Sequence, residues 1–105
     1  MILLLAPTTS GTASAILRVG KGSGGHSESR PAAIFMPGLG AGEFGDIQFS
    51  VNGGSTWNNL YEDGAQVRLS NTNNVELIAG PGVYRVNKTA TAAAVGCWAA
   101  TPLSI

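Results

Sequence analysis

The stretch 47–57, IQFSVNGGSTW, decides the fold class of this 105-residue chain. Ile47, Phe49 and Val51 alternate with polar residues, which is the period of two expected of a strand with one buried face. Asn52-Gly53 then predicts a tight hairpin turn, because these residue types tolerate the positive backbone angles that such turns need. The stretch therefore predicts a β-hairpin.

The same hairpin resembles the Asp-box, Ser-x-Asp-x-Gly-x-Thr-Trp, which recurs on the blades of sialidase-like propellers. The matching residues are Ser50, Asn52, Gly54, Thr56 and Trp57, with Asn52 where the family has Asp. An amide oxygen at that position still accepts hydrogen bonds from the turn backbone, and the Trp still folds over the hairpin as an apolar plug. One copy in 105 residues is too little for a propeller enzyme. The resemblance thus implies a structural role for these five residues.

Further strand candidates surround the hairpin at short, regular intervals. They cover 13–19 and 32–36, and then 47–51, 56–61, 65–69, 75–79, 83–86 and 94–99. Turn-forming residues separate them at Asp63-Gly64, 71–74 and 80–82, whereas only 89–94 has a composition suited to a helix, of one turn at most. The pattern predicts one all-β domain over 1–105: an antiparallel β-sandwich, a jelly roll or a small barrel with long Gly-rich loops.

The composition argues against several classes of partner. Six basic and six acidic residues give a formal net charge of zero, and charged residues make up 11% of the chain without a basic run. We therefore expect neither nucleic-acid nor membrane-surface binding. Cys97 is the single cysteine, in an apolar strand candidate beside Trp98, and is predicted to be a small buried apolar residue rather than a nucleophile.

The residues that most resemble a chemical site lie in a glycine-rich stretch. Gly20, Gly22 and Gly25 match the spacing of the dinucleotide fingerprint, but no amphipathic helix follows them, so 20–31 is predicted to be a flexible loop. His26, the single histidine, lies in that loop, which excludes multi-histidine metal sites. The sequence predicts no catalytic residue, no cofactor and no metal, and hence a protein that is not an enzyme. A small hydrolase is the least favoured alternative.

Residues 46–100 also resemble small virion proteins of tailed bacteriophages. The resemblance rests on the hairpin, on the string VELIAGPGVYRVNK at 75–88 and on the ending AVGCW at 94–98. It implies a capsid decoration or cement protein, assembled in the host cytoplasm, that binds the major capsid protein or other virion proteins in the outer shell. It also implies a homo-oligomer, for which a trimer is the working assumption.

Two groups of apolar residues are the candidates for contact with such partners. The segment 1–9 is predicted to form either a terminal strand or an N-terminal arm. As an arm it would become ordered on contact with a partner, and so would the loop 20–31. The candidate partner-binding residues are Ile2, Leu3, Leu4, Leu5, Leu39 and Phe44. For Leu39 and Phe44 the alternative is that they anchor their own loop.

An alternative function is a carbohydrate-binding or receptor-binding module of a phage tail fibre or head fibre. Such a module needs adjacent aromatic rings on an exposed face, and the available rings are those of Trp57, Tyr61, Tyr84 and Trp98. The other reading of these four residues is that most of them belong to the core.

Overall fold

The computed structural model describes residues 2–19, 32–78 and 81–100. All regular structure within these ranges is β. The strands are β1 (Ile2–Thr8), β2 (Thr12–Ala13), β3 (Leu17–Val19), β4 (Ala32–Phe35), β5 (Gly45–Ser50), β6 (Asn58–Asn59), β7 (Tyr61–Glu62), β8 (Ala65–Gln66), β9 (Arg68–Leu69), β10 (Val75–Ile78), β11 (Gly82–Lys88) and β12 (Val95–Ala100). No part of these ranges forms a helix long and apolar enough to cross a membrane.

The strands form two main antiparallel sheets and one small hairpin. Sheet A has the order β1-β12-β4-β10. Sheet B has β11 and β5 at its centre, with β2 and β3 along the free side of β11 and β6 and β9 along the free side of β5. Strands β7 and β8 form a separate two-stranded hairpin. The prediction of an all-β fold with antiparallel sheets is therefore confirmed.

The strand order resolves which all-β architecture this is. Apart from β2 and β6, the two main sheets contain eight strands. In chain order these are β1, β3, β4, β5, β9, β10, β11 and β12. In this series the first strand pairs with the last, the second with the seventh, the third with the sixth and the fourth with the fifth. A long hairpin rolled into two sheets gives this pairing, which is the topology of a jelly roll.

The core lies between the inward faces of the two sheets. Sheet A contributes side chains such as Ile34 and Cys97, and sheet B contributes Ile47, Leu69 and Val86, all completely buried. Inward residues alternate along each strand with residues on the opposite face, as a pleated strand requires. Each sheet is left with one outward face.

The N-terminal segment is a strand of the fold and not a free arm, which corrects one of the two alternatives for 1–9. Residues Ile2–Thr8 pair with β12 at the edge of sheet A. Leu4 is 5% exposed and belongs to the core, and Ala15 donates its backbone N–H to the Leu4 carbonyl at 2.8 Å. Residue 1 and the predicted loop 20–31 lie outside the described residues.

Two local predictions are corrected. The turn at Asn52-Gly53 is not a two-residue hairpin turn, since β5 ends at Ser50 and β6 begins at Asn58, and the positive φ angles belong to Gly53 (75°) and Gly54 (108°). The predicted strand at 13–19 is divided into β2 and β3. The expected turn at Asp63-Gly64 is present, with φ of 52° and 80°, and residues 89–94 form no helical turn.

Candidate functional site

The outward side of sheet A is an apolar surface that crosses all four strands. Leu3 pairs with Trp98, Trp98 with Phe35, and Phe35 with Val75, so these four side chains lie in one row on the same side of the sheet. The neighbouring row on that side contains Ala100, Ala33 and Leu77. We call these seven residues the apolar face.

The apolar face is open to solvent. Leu77 is 68% exposed, Leu3 is 53% exposed and Val75 is 49% exposed, while Phe35 and Trp98 are half-buried. None of the seven residues carries a charge. Exposed clusters of large apolar side chains are one of the kinds of surface through which proteins contact other molecules.

Gly96 leaves room for the Trp98 ring on the apolar face. A Cβ atom at Gly96 would come within 2.8 Å of Trp98 Cη2 and within 2.9 Å of the Leu5 carbonyl oxygen. The indole ring therefore occupies the space that a side chain at Gly96 would fill. The absence of that side chain keeps the ring close to the sheet.

In strand β10 two apolar side chains face outward and the charged one faces the core, which is the reverse of what its sequence suggests. Val75 and Leu77 point outward, whereas Glu76 pairs with the fully buried Ile34 and so leaves the strand on the core side, at the sheet edge. Asn73 Nδ2 donates to Glu76 Oε2 at 3.2 Å. Sequence reasoning missed Phe35, Val75 and Leu77 as surface residues, because alternation shows which residues share a face but not which face is buried. The number of apolar residues on both faces of these strands was the available signal.

The Asp-box-like residues come together in the loop between β5 and β6. Ser50 Oγ accepts the Gly54 N–H at 2.8 Å and donates to Asn52 Oδ1 at 2.8 Å. Asn52 Oδ1 also accepts the Thr56 N–H at 3.0 Å, and Trp57 Nε1 donates to the Gly54 carbonyl at 3.1 Å. Each polar residue of the motif thus bonds to another part of the loop, as a structural role requires.

The outward side of sheet B has the opposite character from the apolar face. Cross-strand pairing places on it the polar residues Arg18, Asp46, Gln48, Asn59, Arg68, Arg85 and Asn87, which we call the polar face, together with Ala13 and Val83. Gln48 Oε1 accepts from Arg85 Nε at 2.8 Å, and Gln48 Nε2 donates to Asn59 Oδ1 at 3.0 Å. The Arg85 guanidinium lies 4.5 Å from the centre of the Trp57 ring, which ties the loop to this face.

The predicted partner-binding residues differ in how deeply the structure buries them. Ile2 and Leu3 are exposed on β1, and Leu5 packs against the core. Leu4 and Leu39 are 5% and 7% exposed core residues, so neither is available to a partner, which corrects both predictions. Phe44 is half-buried, with the Arg68 guanidinium 4.3 Å from its ring centre and its N–H donated to Thr89 Oγ1 at 3.0 Å. Leu39 and Phe44 therefore anchor their loop.

The four aromatic residues considered for a carbohydrate platform are distributed over the molecule. Trp57 lies beside the polar face, Trp98 lies on the apolar face, and Tyr61 is exposed on the β7–β8 hairpin. Tyr84 is 8% exposed and belongs to the core. The two tryptophans are thus on opposite sides of the sandwich and do not form one stacking surface.

The titratable groups with shifted pKa values that are described next belong to the folded framework. Burial raises the pKa of the Cys97 thiol to about 12, so the thiol is protonated at neutral pH, as its predicted role as a buried apolar residue requires. Backbone hydrogen bonds from Ala92 and Gly40, and the charge of Lys88, lower the pKa of Glu43. Lys88 is itself buried, with its Nζ donated to the Ser10 carbonyl at 2.9 Å and to the Thr89 carbonyl at 3.1 Å.

Within residues 2–19, 32–78 and 81–100, no three His, Cys, Asp or Glu side chains are grouped so as to hold a metal ion. His26 and the glycines of the fingerprint spacing fall in 20–31, outside the described residues. Comparisons with protein families, with curated proteins and with solved structures find no match to this chain.

Proposed function

We propose that this protein is a structural component of a bacteriophage virion, a capsid decoration or cement protein that binds the outer shell and stabilises contacts between capsid subunits. The observation that carries the proposal is the apolar face, which extends across all four strands of sheet A. A surface of this kind gains free energy when another protein removes it from water. The proposed role requires binding and no chemistry.

The framework suits a role in which stiffness matters. Paired strands hold every residue of the apolar face in place, so little conformational entropy is lost when a partner covers it. A protein that binds the assembled shell but not the free subunits stabilises the shell by mass action. Its partner would be the major capsid protein or another virion protein, and its location would be the virion, after assembly in the host cytoplasm.

The residues of the phage resemblance form strands of both sheets. The string at 75–88 contains β10 and β11, and the ending at 94–98 begins β12. These strands supply Val75, Leu77 and Trp98 to the apolar face. The residues that carry the resemblance therefore supply three of the seven residues of the apolar face, the surface on which the proposal rests.

Co-sedimentation tests the proposal directly. The purified chain is mixed with expanded shells of the phage that encodes it and, separately, with isolated capsid subunits. We expect it to pellet with the shells, to leave the free subunits unbound, and to raise the temperature at which the shells disrupt. Absence of binding to shells would overturn the proposed function.

A matched pair of variants tests the apolar face in the same assay. Leu77→Lys places a charge on the face, whereas Val51→Lys places one at a residue of the β5–β6 loop that is 81% exposed. We expect Leu77→Lys to reduce shell binding at least about tenfold, since burying a lysine in an apolar contact costs more than 1.4 kcal/mol. Val51→Lys should bind as the wild type does. Equal binding by all three proteins would remove the apolar face from the proposal.

A specific arrangement favours the carbohydrate-binding or receptor-binding module as a second candidate function. Trp57, Arg85, Gln48 and Asn59 form a continuous set of polar and aromatic groups beside and on the polar face. Planar amides, a guanidinium and an indole are the groups that orient sugar hydroxyls and stack on sugar rings. Retention of the wild type on host polysaccharide, lost in Asn59→Ala and without any binding to shells, would move the assignment to this function.

A further inference from the structure

We propose that the polar face binds an acidic polysaccharide, whose carboxylates are held by a row of hydrogen-bond donors on strands β11, β5 and β6. The row consists of Arg85, Gln48 and Asn59, which cross-strand pairing places side by side, and we call it the donor row. The inference rests on the second candidate function for its site, and it adds the class of ligand. It does not depend on the apolar face, which belongs to the other sheet.

The orientation of the two amides in the donor row follows from the chemistry of Arg85. Its Nε can only donate, so the Gln48 atom that faces it at 2.8 Å is the acceptor Oε1. Gln48 Nε2 is thereby turned towards Asn59, where it donates to Oδ1 at 3.0 Å. Both amide oxygens are thus engaged inside the row. The groups left at its two ends are donors, namely the terminal Nη groups of Arg85 and the Nδ2 group of Asn59, and neither hydrogen-bonds to another of the described residues.

The charges beside the donor row are positive. Arg18 is exposed and pairs with Val83, two residues before Arg85 on β11, so the two arginines are diagonal neighbours with Cα atoms about 7–8 Å apart. The carboxylate of the polar face, Asp46, is already paired with Arg68 at 2.9 Å, and this is the one ion pair within the described parts of the chain. The positive charges of Arg18 and Arg85 are therefore left uncompensated next to the donors.

A surface that offers donors and positive charge selects a group that accepts hydrogen bonds and carries negative charge. A carboxylate only accepts, whereas a neutral sugar hydroxyl both donates and accepts and gains nothing from the charges. The planar guanidinium of Arg85 matches the two oxygens of a carboxylate, and its contact with the Trp57 ring, at 4.5 Å, limits its freedom to turn away. The donor row therefore favours an acidic ligand over a neutral one.

The surroundings of the donor row favour a polysaccharide over an acidic protein as the source of the carboxylate. Protein contacts obtain most of their binding energy from large apolar and aromatic side chains that fill pockets near the centre of the interface. The apolar residues of this face are Ala13, which is small, and Val83, which is half-buried, and the Trp57 ring beside it is in contact with Arg85. A polysaccharide has no apolar side chain to bury and is oriented by a few placed polar groups.

Binding of a defined acidic oligosaccharide to the full chain tests the inference. Isothermal titration calorimetry at low salt compares oligogalacturonate, in which every sugar carries a carboxylate, with the same oligomer after methyl esterification, which is neutral. We expect the acid to bind more tightly than the ester, with an affinity that falls as salt is added. Absence of binding to the acid would overturn the inference. Equal affinities for acid and ester would also overturn it and would leave the second candidate function in place.

Two substitutions in β6 locate the site. Asn59→Asp replaces the terminal donor of the row by a negative acceptor, while the bond from Gln48 is kept because a carboxylate still accepts it. Asn58→Asp makes the same change one residue earlier, opposite Phe49 and not in the row. Both asparagines are exposed, so both variants should fold as the wild type does. We expect Asn59→Asp to lower the affinity for oligogalacturonate at least about tenfold and Asn58→Asp to change it at most about twofold. Equal losses would overturn the inference.

Two other polyanions test the class of ligand. Poly-glutamate presents carboxylates on a peptide, and single-stranded DNA presents phosphates on a nucleic acid. We expect both to bind more weakly than oligogalacturonate at the same salt concentration. Binding of either polymer as tightly as the acidic sugar would overturn the assignment to a polysaccharide.

This inference and the proposed capsid role fail in different ways. Leu77→Lys should bind oligogalacturonate as the wild type does, and Asn59→Asp should bind shells as the wild type does, because the two residues lie on different sheets. A chain that binds shells but no acidic sugar keeps the capsid role and overturns this inference. A chain that binds the acidic sugar through Asn59, but no shell, supports this inference and removes the capsid role.

Discussion

Asn52 and Thr56 are joined by two hydrogen bonds across the β5–β6 loop. Asn52 Oδ1 accepts the Thr56 backbone N–H at 3.0 Å, and Asn52 Nδ2 donates to Thr56 Oγ1 at 2.8 Å. The amide serves as acceptor and donor at the position where the Asp-box has a carboxylate, which only accepts. The loop therefore retains its closure with a different residue.

Two substitutions of Asn52 separate the contribution of its acceptor oxygen from that of its donor amide group. Asn52→Ala removes both bonds and the acceptor of the Ser50 hydroxyl, so we expect a loss of about 1–2 kcal/mol in the free energy of unfolding. Asn52→Asp should cost less than about 0.5 kcal/mol, because a carboxylate accepts from the same backbone N–H and from the hydroxyl of Thr56. Urea denaturation measures both values. Equal losses in the two variants would contradict a role for the acceptor oxygen.

Ser14 is expected to be essential to the edge of sheet B. Its Oγ accepts the Val86 N–H at 2.9 Å and its own N–H donates to the Val86 carbonyl at 2.8 Å, in the gap between β2 and β3. Ser14→Ala leaves the buried Val86 N–H without that acceptor, which should cost about 1–3 kcal/mol. Urea denaturation measures the cost, with Ser55→Ala in the exposed β5–β6 loop as control. Faster amide exchange at Val86 in the Ser14 variant would identify the cause, and unchanged exchange would contradict it.

Gly45 is expected to tolerate no side chain. A Cβ atom there would collide with Met36 Sδ and would lie 2.9 Å from Val86 Cγ1, both in the completely buried core. Gly45→Ala should destabilise the fold by about 1–3 kcal/mol through overpacking.

The double variant Gly45→Ala with Met36→Val identifies the collision. A shorter residue at position 36 makes room for the new methyl group, so the two losses measured by denaturation should sum to more than the loss in the double variant. Additive losses would show that Met36 is not the obstacle.

Glu43 should make the fold sensitive to acid. Its carboxylate accepts the Ala92 N–H at 2.9 Å and the Gly40 N–H at 2.7 Å, and these bonds, with the Lys88 charge, hold its pKa below the ordinary 4.5. A lowered folded-state pKa means that this stabilisation is complete above 4.5 and is lost as the pH falls through the folded-state value.

Thermal denaturation between neutral pH and pH 3 measures this dependence. We expect Glu43→Gln to be less stable than the wild type at neutral pH, and the difference between the two proteins to narrow below pH 4.5. Glu62→Gln, in the exposed β7–β8 hairpin, is the control and should follow the wild type. A constant difference between wild type and Glu43→Gln would contradict the role of the charge.

The fold class was predictable from the sequence because alternation and turn chemistry are local. The strands 75–79, 83–86 and 94–99 correspond to β10, β11 and β12, and Asp63-Gly64 forms the predicted turn. Strand order was not predictable, since the pairing of β1 with β12 joins opposite ends of the chain through contacts that no local pattern encodes.

The candidate site was only partly predictable for the same reason. The five hairpin residues form a network of bonds at most a few positions apart, and the sequence motif identified all of them. The apolar face is built by the register of four strands, and its residues are separated by up to 97 positions, as Leu3 and Ala100 show. The same limit explains why Leu4 and Leu39 were taken for surface residues.

Cys97 is expected to make the fold sensitive to alkali. The thiol has a pKa of about 12 in the folded protein, because burial disfavours the thiolate, against an ordinary value of 9.0. Because the folded-state pKa is raised, the protonated thiol costs the fold nothing below pH 9.0. The free energy of unfolding then falls as the pH rises from 9.0 towards 12, by at most about 1.4 kcal/mol per pH unit for one proton.

The Cys97→Ala variant isolates this effect from the other groups that titrate in the same range. Burial also raises the pKa of Tyr84 and lowers the pKa of Lys88, but both groups are retained in the variant. The wild type should therefore lose more stability than Cys97→Ala between pH 9 and pH 11. The same burial should protect the thiol from an aromatic disulfide reagent until urea unfolds the chain, so rapid modification of the folded protein would contradict the prediction.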